Sequence, residues 1–271
     1  MPLDPRARRV LRQFVETDAL LGLDAVPVAP RAAAPAVDPP KPQSSPPTQE
    51  PLIPTRDARP ATPAIAEPEP ENRDAKLRLL TEMDEHEVKG CTKCALCESR
   101  TQTVFGEGDV DADILFIGEG PGQTEDELGR PFVGRAGQLL DKMIAAMGYA
   151  RESVYIANVV KCRPPGNRTP QADEVDACRS YLLRQVAWIR PRAIVTLGGP
   201  AAKLILDTKE GITRIRGKWA SFHEIDPPIP VMPTFHPAYL LRNYTPDTRK
   251  KVWSDLCAVL DKLGKQPPGK A

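Results

Sequence analysis

No stretch of 18 consecutive apolar residues occurs in this 271-residue chain, so the sequence offers no membrane-spanning helix. The N-terminus has no apolar signal region with a cleavage site, and a cytoplasmic protein is expected. There is no excess of charge: 37 basic and 36 acidic residues give a net charge of +1. A bulk polycation is excluded, so any nucleic acid must be held by a local groove. Histidine is scarce, at positions 86, 223 and 236 only.

A periodic apolar pattern is also missing from residues 26–73, which are mostly Pro, Ala, Ser and charged residues. Sixteen of the 31 prolines lie within the first 73 residues. Such a segment buries too little apolar surface to offset its ordering entropy and reads as a disordered linker. Before it, Val10, Leu11, Phe14, Leu20, Leu21 and Leu23 have partial helical spacing behind four arginines, consistent with a short helix over 1–25. The folded domain is then expected over 74–271, enough chain for one well-buried α/β unit.

Within that domain apolar runs and helical patterns alternate. Helices are expected over 77–88, 135–147, 171–189 and 246–263, with another after Gly198-Gly199-Pro200. Strands are expected over 113–118, 154–160, 193–197, 218–223 and 231–234. Alternation of this kind implies a mostly parallel sheet with helices on both faces. Binding sites then belong at the carboxyl ends of the strands.

Six cysteines are present: Cys91, Cys94, Cys97, Cys162, Cys178 and Cys257. In a cytoplasmic chain disulfides are not expected. Cys91, Cys94 and Cys97 follow one another at chelate spacing, and Cys162 and Cys178 bracket the segment after the second strand. Four thiolates can hold zinc or an iron–sulfur cluster, and spacing does not decide between them. Cys97 is either a fifth thiol or a ligand in place of another. Cys257 reads as a small core residue of the last helix.

Four segments carry chemistry. Gly118 to Gly134 is an acidic, Gly/Pro-rich turn after a strand, containing Glu119, Gly120, Gly122, Glu125 and Phe132. Asn158 ends the second strand, and its amide can both donate to and accept from a nucleobase edge. His236 leaves the last strand, is fixed by Pro237, and heads an apolar and basic loop, His236-Pro237-Ala238-Tyr239-Leu240-Leu241-Arg242. Arg214 to Trp219 is a basic turn suited to phosphates, with Arg216 and Lys218.

From about 77 to 263 the chain closely resembles the family 4 uracil-DNA glycosylases, the iron–sulfur branch of the uracil-DNA glycosylase superfamily. The resemblance rests on Gly-Glu-x-Pro-Gly-x-x-Glu-Asp-x-x-Gly-x-Pro-Phe-Val-Gly at 118–134, Asn-Val-Val-Lys-Cys-Arg-Pro-Pro from 158, Arg-Gly-Lys from 216 and the His236 motif. It implies a three-layer sandwich around a central, mostly parallel four-stranded sheet. It implies hydrolysis of the N-glycosidic bond of uracil flipped out of DNA, the first step of base-excision repair, by a monomer.

By the same resemblance Phe132 stacks on the base and Asn158 reads its polar edge, rejecting cytosine. His236 donates to uracil O2. Glu119, with the backbone of Gly120 to Gly122, lies at the pocket floor, and Glu125 lies near the base or the attacking water. Gly118, Gly120 and Gly122 bind the substrate. Leu240, Leu241 and Arg242 enter the minor groove, while Arg216 and Lys218 contact DNA. Cys91, Cys94, Cys162 and Cys178 hold a [4Fe–4S] cluster, and Cys97 does not.

The family usually has Ala at position 120, and better-known relatives place a water-activating Asp there. Gly120 therefore leaves that role to Glu119 or Glu125. A related branch bonds covalently to DNA through a His in a basic loop. Residues 213–218 contain no His, so turnover is expected rather than a trapped adduct. Two other readings fit the same fold: a catalytically silent DNA- or polymerase-binding protein, and an iron–sulfur redox or sensor module.

Overall fold

The computed structural model describes residues 70–268. The expected helix over 1–25 and residues 26–69 of the expected linker over 26–73 fall outside them, while the end of that linker is shorter than expected, since Asn72 caps and Arg73 opens the first helix. The first helix, α1 (Arg73–Met83), starts four residues before the expected 77 because the Asn72 side chain caps it, accepting the Ala75 N–H at 2.9 Å. It continues as a π turn over Asp84–Val88 and leads to Cys91.

Six strands form one sheet: β1 (Glu107–Gly108), β2 (Ile114–Gly118), β3 (Tyr155–Asn158), β4 (Ala193–Leu197), β5 (Ala220–Phe222) and β6 (Ile229–Thr234). Their spatial order is β1-β3-β2-β4-β6-β5. The inner four run parallel, and β1 and β5 pair antiparallel at the two edges. The expected four-stranded parallel core is therefore present, widened by an antiparallel strand on each side. All residues of β2, β3 and β4 are buried, as in a parallel sheet covered on both faces.

The helices between strands are α2 (Gln123–Leu128), α3 (Arg135–Ala146), α4 (Ala172–Ile189), α5 (Gly199–Leu206) and α6 (Ile212–Ile215); α7 (Pro237–Arg242) and α8 (Pro246–Lys262) follow the last strand. The longest, α4, opens with a reciprocal capping box between Gln171 and Glu174. Several elements differ from expectation. The strand expected over 154–160 stops at Asn158, and the next two N–H groups donate to the Gly118 and Glu119 carbonyls. The last strand begins at Ile229, two residues early, because Pro230 and Pro233 obscure its pattern. The basic segment Leu240-Leu241-Arg242 is part of helix α7 rather than a loop.

Because β2 has β3 on one side and β4 on the other, the chain reverses its winding direction between β2 and β4. That switch point opens a crevice at the carboxyl edge of the sheet. Gly118, Asn158, Gly198 and His236 all follow or end strands at this edge.

Candidate active site

Gly118 ends β2 where two side chains close over it. A Cβ on Gly118 would lie 2.4 Å from Asn158 Oδ1 and 2.5 Å from Phe132 Cζ. Glycine is thus required for the amide and the ring to share this floor. Phe132 is 5% exposed and holds a left-handed backbone conformation at φ 51°. Its ring centroid lies 5.6 Å from that of His236, tilted by 32°.

Asn158 is 1% exposed, yet neither its Oδ1 nor its Nδ2 has a hydrogen-bond partner in the protein. A buried amide left unsatisfied costs about 1–3 kcal/mol. Both atoms belong to a crevice shared with Glu119, Phe132, Gly134 and His236. The arrangement holds a donor and an acceptor dry and ready for a flat polar ligand.

His236 caps α7, its Nδ1 accepting the Ala238 N–H at 3.0 Å. The ring's remaining proton therefore sits on Nε2. Burial, aided by the nearby Arg242 charge, pushes its pKa down to about 4. The imidazole is a neutral donor at pH 7.

The two glutamates have different employment. Glu125 Oε1 accepts the N–H groups of Val133 (2.9 Å) and Gly134 (2.8 Å), fixing the Phe132 loop at the start of α3. Glu119 is half-buried, and burial raises its carboxyl above the usual range, with Thr169 pulling the other way. Gly120 and Gly122 line the same crevice.

The residues expected at DNA divide. Arg216 turns inward: its guanidinium pairs with the buried Asp255 and donates to the Lys251 carbonyl at 2.7 Å, tying the turn after α6 to α8. Thr234 Oγ1 donates to the same Asp255 at 2.6 Å. Leu240 is buried at 3% exposure rather than presented at the surface where a groove-entering residue was expected. Leu241 is half-buried, whereas Lys218 and Arg242 are exposed. Tyr239, exposed and lining the crevice, was missed as a site residue although it stands inside the His236 motif. Thr169, also lining the crevice, had no motif to signal it.

Cys91, Cys94, Cys97, Cys162 and Cys178 line one pocket with Arg100 and Tyr181, away from the crevice. Arg100 Nη1 donates to Cys162 Sγ at 3.0 Å, the Lys161 N–H to Cys178 Sγ at 3.3 Å, and the Tyr181 hydroxyl to Cys91 Sγ at 3.5 Å. Donors aimed at sulfur suit thiolates. Among the described residues no three His, Cys, Asp or Glu side chains are placed to hold a single metal ion. The thiols stand around the pocket rather than at one point. Cys257 is separate, on α8.

The profile of the Uracil DNA glycosylase superfamily matches residues 105–257. The chain is 48% identical over 181 residues to the type-4 uracil-DNA glycosylase of Thermotoga maritima, covering 65% of this chain and 91% of that protein. It is 44% identical over 186 residues to that of Saccharolobus solfataricus (67% and 85% covered). With that of Archaeoglobus fulgidus it shares 42% identity over 186 residues (67% and 92% covered).

Proposed function

Because the chain belongs to the uracil DNA glycosylase superfamily, with type-4 enzymes among its relatives, we propose that its crevice takes uracil flipped from DNA and hydrolyses the N-glycosidic bond. The observation that carries the reading is the buried, unpartnered amide of Asn158 facing Phe132 and His236.

In this reading the Phe132 ring stacks on the extruded base, and Asn158 satisfies its amide on the base's polar edge. Cytosine presents an amino donor where uracil has a carbonyl acceptor, so the amide set for uracil rejects it. The C1′–N1 bond breaks with its electron pair going to N1, and negative charge spreads onto O2. His236 Nε2–H donates to that oxygen; a neutral imidazole does so without surrendering its proton. The sugar becomes oxocarbenium-like. Glu119, rather than the backbone-bound Glu125, stabilises the cation and orients the water whose oxygen bonds C1′. Raised basicity suits a carboxylate that then receives the water's proton.

The exposed Lys218 and Arg242 contact phosphates, and the helix bearing Leu241 approaches the groove. One chain holds every residue of this site, so a monomer suffices. Cys91, Cys94, Cys162 and Cys178 would hold a [4Fe–4S] cluster, with Cys97 not a ligand. When bound, its irons would be coordinated by these thiolates and so tie the chain after β3 to that after α1, which would contribute folding energy.

The test uses a labelled oligonucleotide with one uracil, followed by alkali. Strand scission at uracil is expected from the wild-type protein; intact strands after prolonged incubation contradict the assignment.

A further inference from the structure

We propose that Arg151 is a positioning residue that sets the direction of the Phe132 ring. The inference rests on the reading of Phe132 as the base-stacking residue.

A bulky aromatic residue at φ 51° sits in a sparsely populated backbone region. Such conformations persist only when the surroundings over-determine them. Here the surroundings are two side chains of opposite charge. Arg151 Nη2 donates to the Pro131 carbonyl at 2.5 Å, and its Nη1 to the Phe132 carbonyl at 3.2 Å. Those carbonyls belong to the two peptide planes flanking the Phe132 Cα, so one guanidinium fixes both φ and ψ at that residue. Glu125 holds the far end of the second plane through the Val133 N–H.

Arg151 is itself fixed. Its Nε and Nη2 donate to Glu107 Oε1 at 3.0 and 2.8 Å, and its Nη1 to Asp141 on α3. Glu107 also accepts from Arg130 Nε at 2.8 Å. The arginine side chain is 15% exposed. It stands one short turn before β3, the strand that ends in Asn158. Stacking residue and base-reading amide are thereby referred to the same piece of chain. A planar fork reaches two carbonyls at once, which a lysine ammonium does not.

The experiment measures single-turnover uracil excision for Phe132→Ala, Arg151→Met, Arg151→Lys and the double variant Phe132→Ala/Arg151→Met. Inhibition by free uracil and thermal midpoints are recorded alongside. Arg151→Met is expected to slow excision by about tenfold or more and to weaken inhibition by uracil, with Arg151→Lys in between. In the Phe132→Ala background the same change is expected to cost less than about threefold, because no ring remains to be aimed. Equal losses in both backgrounds, or no loss in the first, overturn the proposal. Wild-type excision by Phe132→Ala instead overturns the stacking reading, so the two failures are distinguishable. If Arg151→Met does not fold, Glu107→Gln, which keeps the arginine but loosens its anchor, gives the same comparison in both backgrounds.

Discussion

Replacing Asn158 by Ala removes an amide that hydrogen-bonds to nothing in the protein. Stability by chemical denaturation is expected to stay within about 1 kcal/mol of wild type, since the lost packing is offset by the lost unsatisfied amide. Uracil excision is expected to fall by at least about a hundredfold. His236 couples differently to pH. Its folded pKa of about 4 lies below the unfolded value of about 6.5. As pH falls through that window the unfolded chain takes up a proton that the folded one refuses. Stability from this residue is intact above about pH 6.5 and lost toward pH 4, on the order of 3 kcal/mol in all. Denaturation of His236→Asn between pH 7 and 4 should show a shallower decline than wild type. At this scale the sequence exposed residues whose chemistry is local: Asn158 at a strand end and His236 before a proline. It did not expose Arg151 or the inward turn of Arg216, whose partners lie far along the chain.

Among the elements, α3 meets the Phe132 loop through Gly137, where a Cβ would lie 1.8 Å from the Phe132 carbonyl oxygen. Gly137→Ala forces helix and loop apart. We expect a loss on the order of 2 kcal/mol in stability, typical of overpacking, together with reduced excision. Thermal melts and initial rates check both. The inner strands were legible because parallel strands buried on both faces are continuous apolar runs. Strand β1 was not, since Glu107-Gly108 carries no apolar period. Helix α7 was read as a loop because six residues opening His-Pro show barely more than one turn. The short acidic helix α2 was hidden in the same way inside a glycine-rich turn.

For the whole molecule, the thiol pocket and the crevice share no lining residue, so the two proposed roles, holding the fold and doing the chemistry, can be tested separately. Cys162→Ser and Cys178→Ser are expected to lose iron and lower the melting temperature, while Cys97→Ser keeps both. Iron and acid-labile sulfide per chain, with thermal melts, decide this. No helix among the described residues is long and apolar enough to cross a membrane. The α/β architecture was readable from alternation alone, but the meeting of Cys91 and Cys94 with Cys162 and Cys178 depends on how the chain winds about the sheet. The most direct test of the central claim is mass spectrometry of the bases released from one oligonucleotide containing uracil, cytosine and thymine. Free uracil accumulating over many turnovers, with no cytosine or thymine, is the predicted result. Release of no base, or of cytosine alongside uracil, would contradict a crevice keyed to uracil by Asn158.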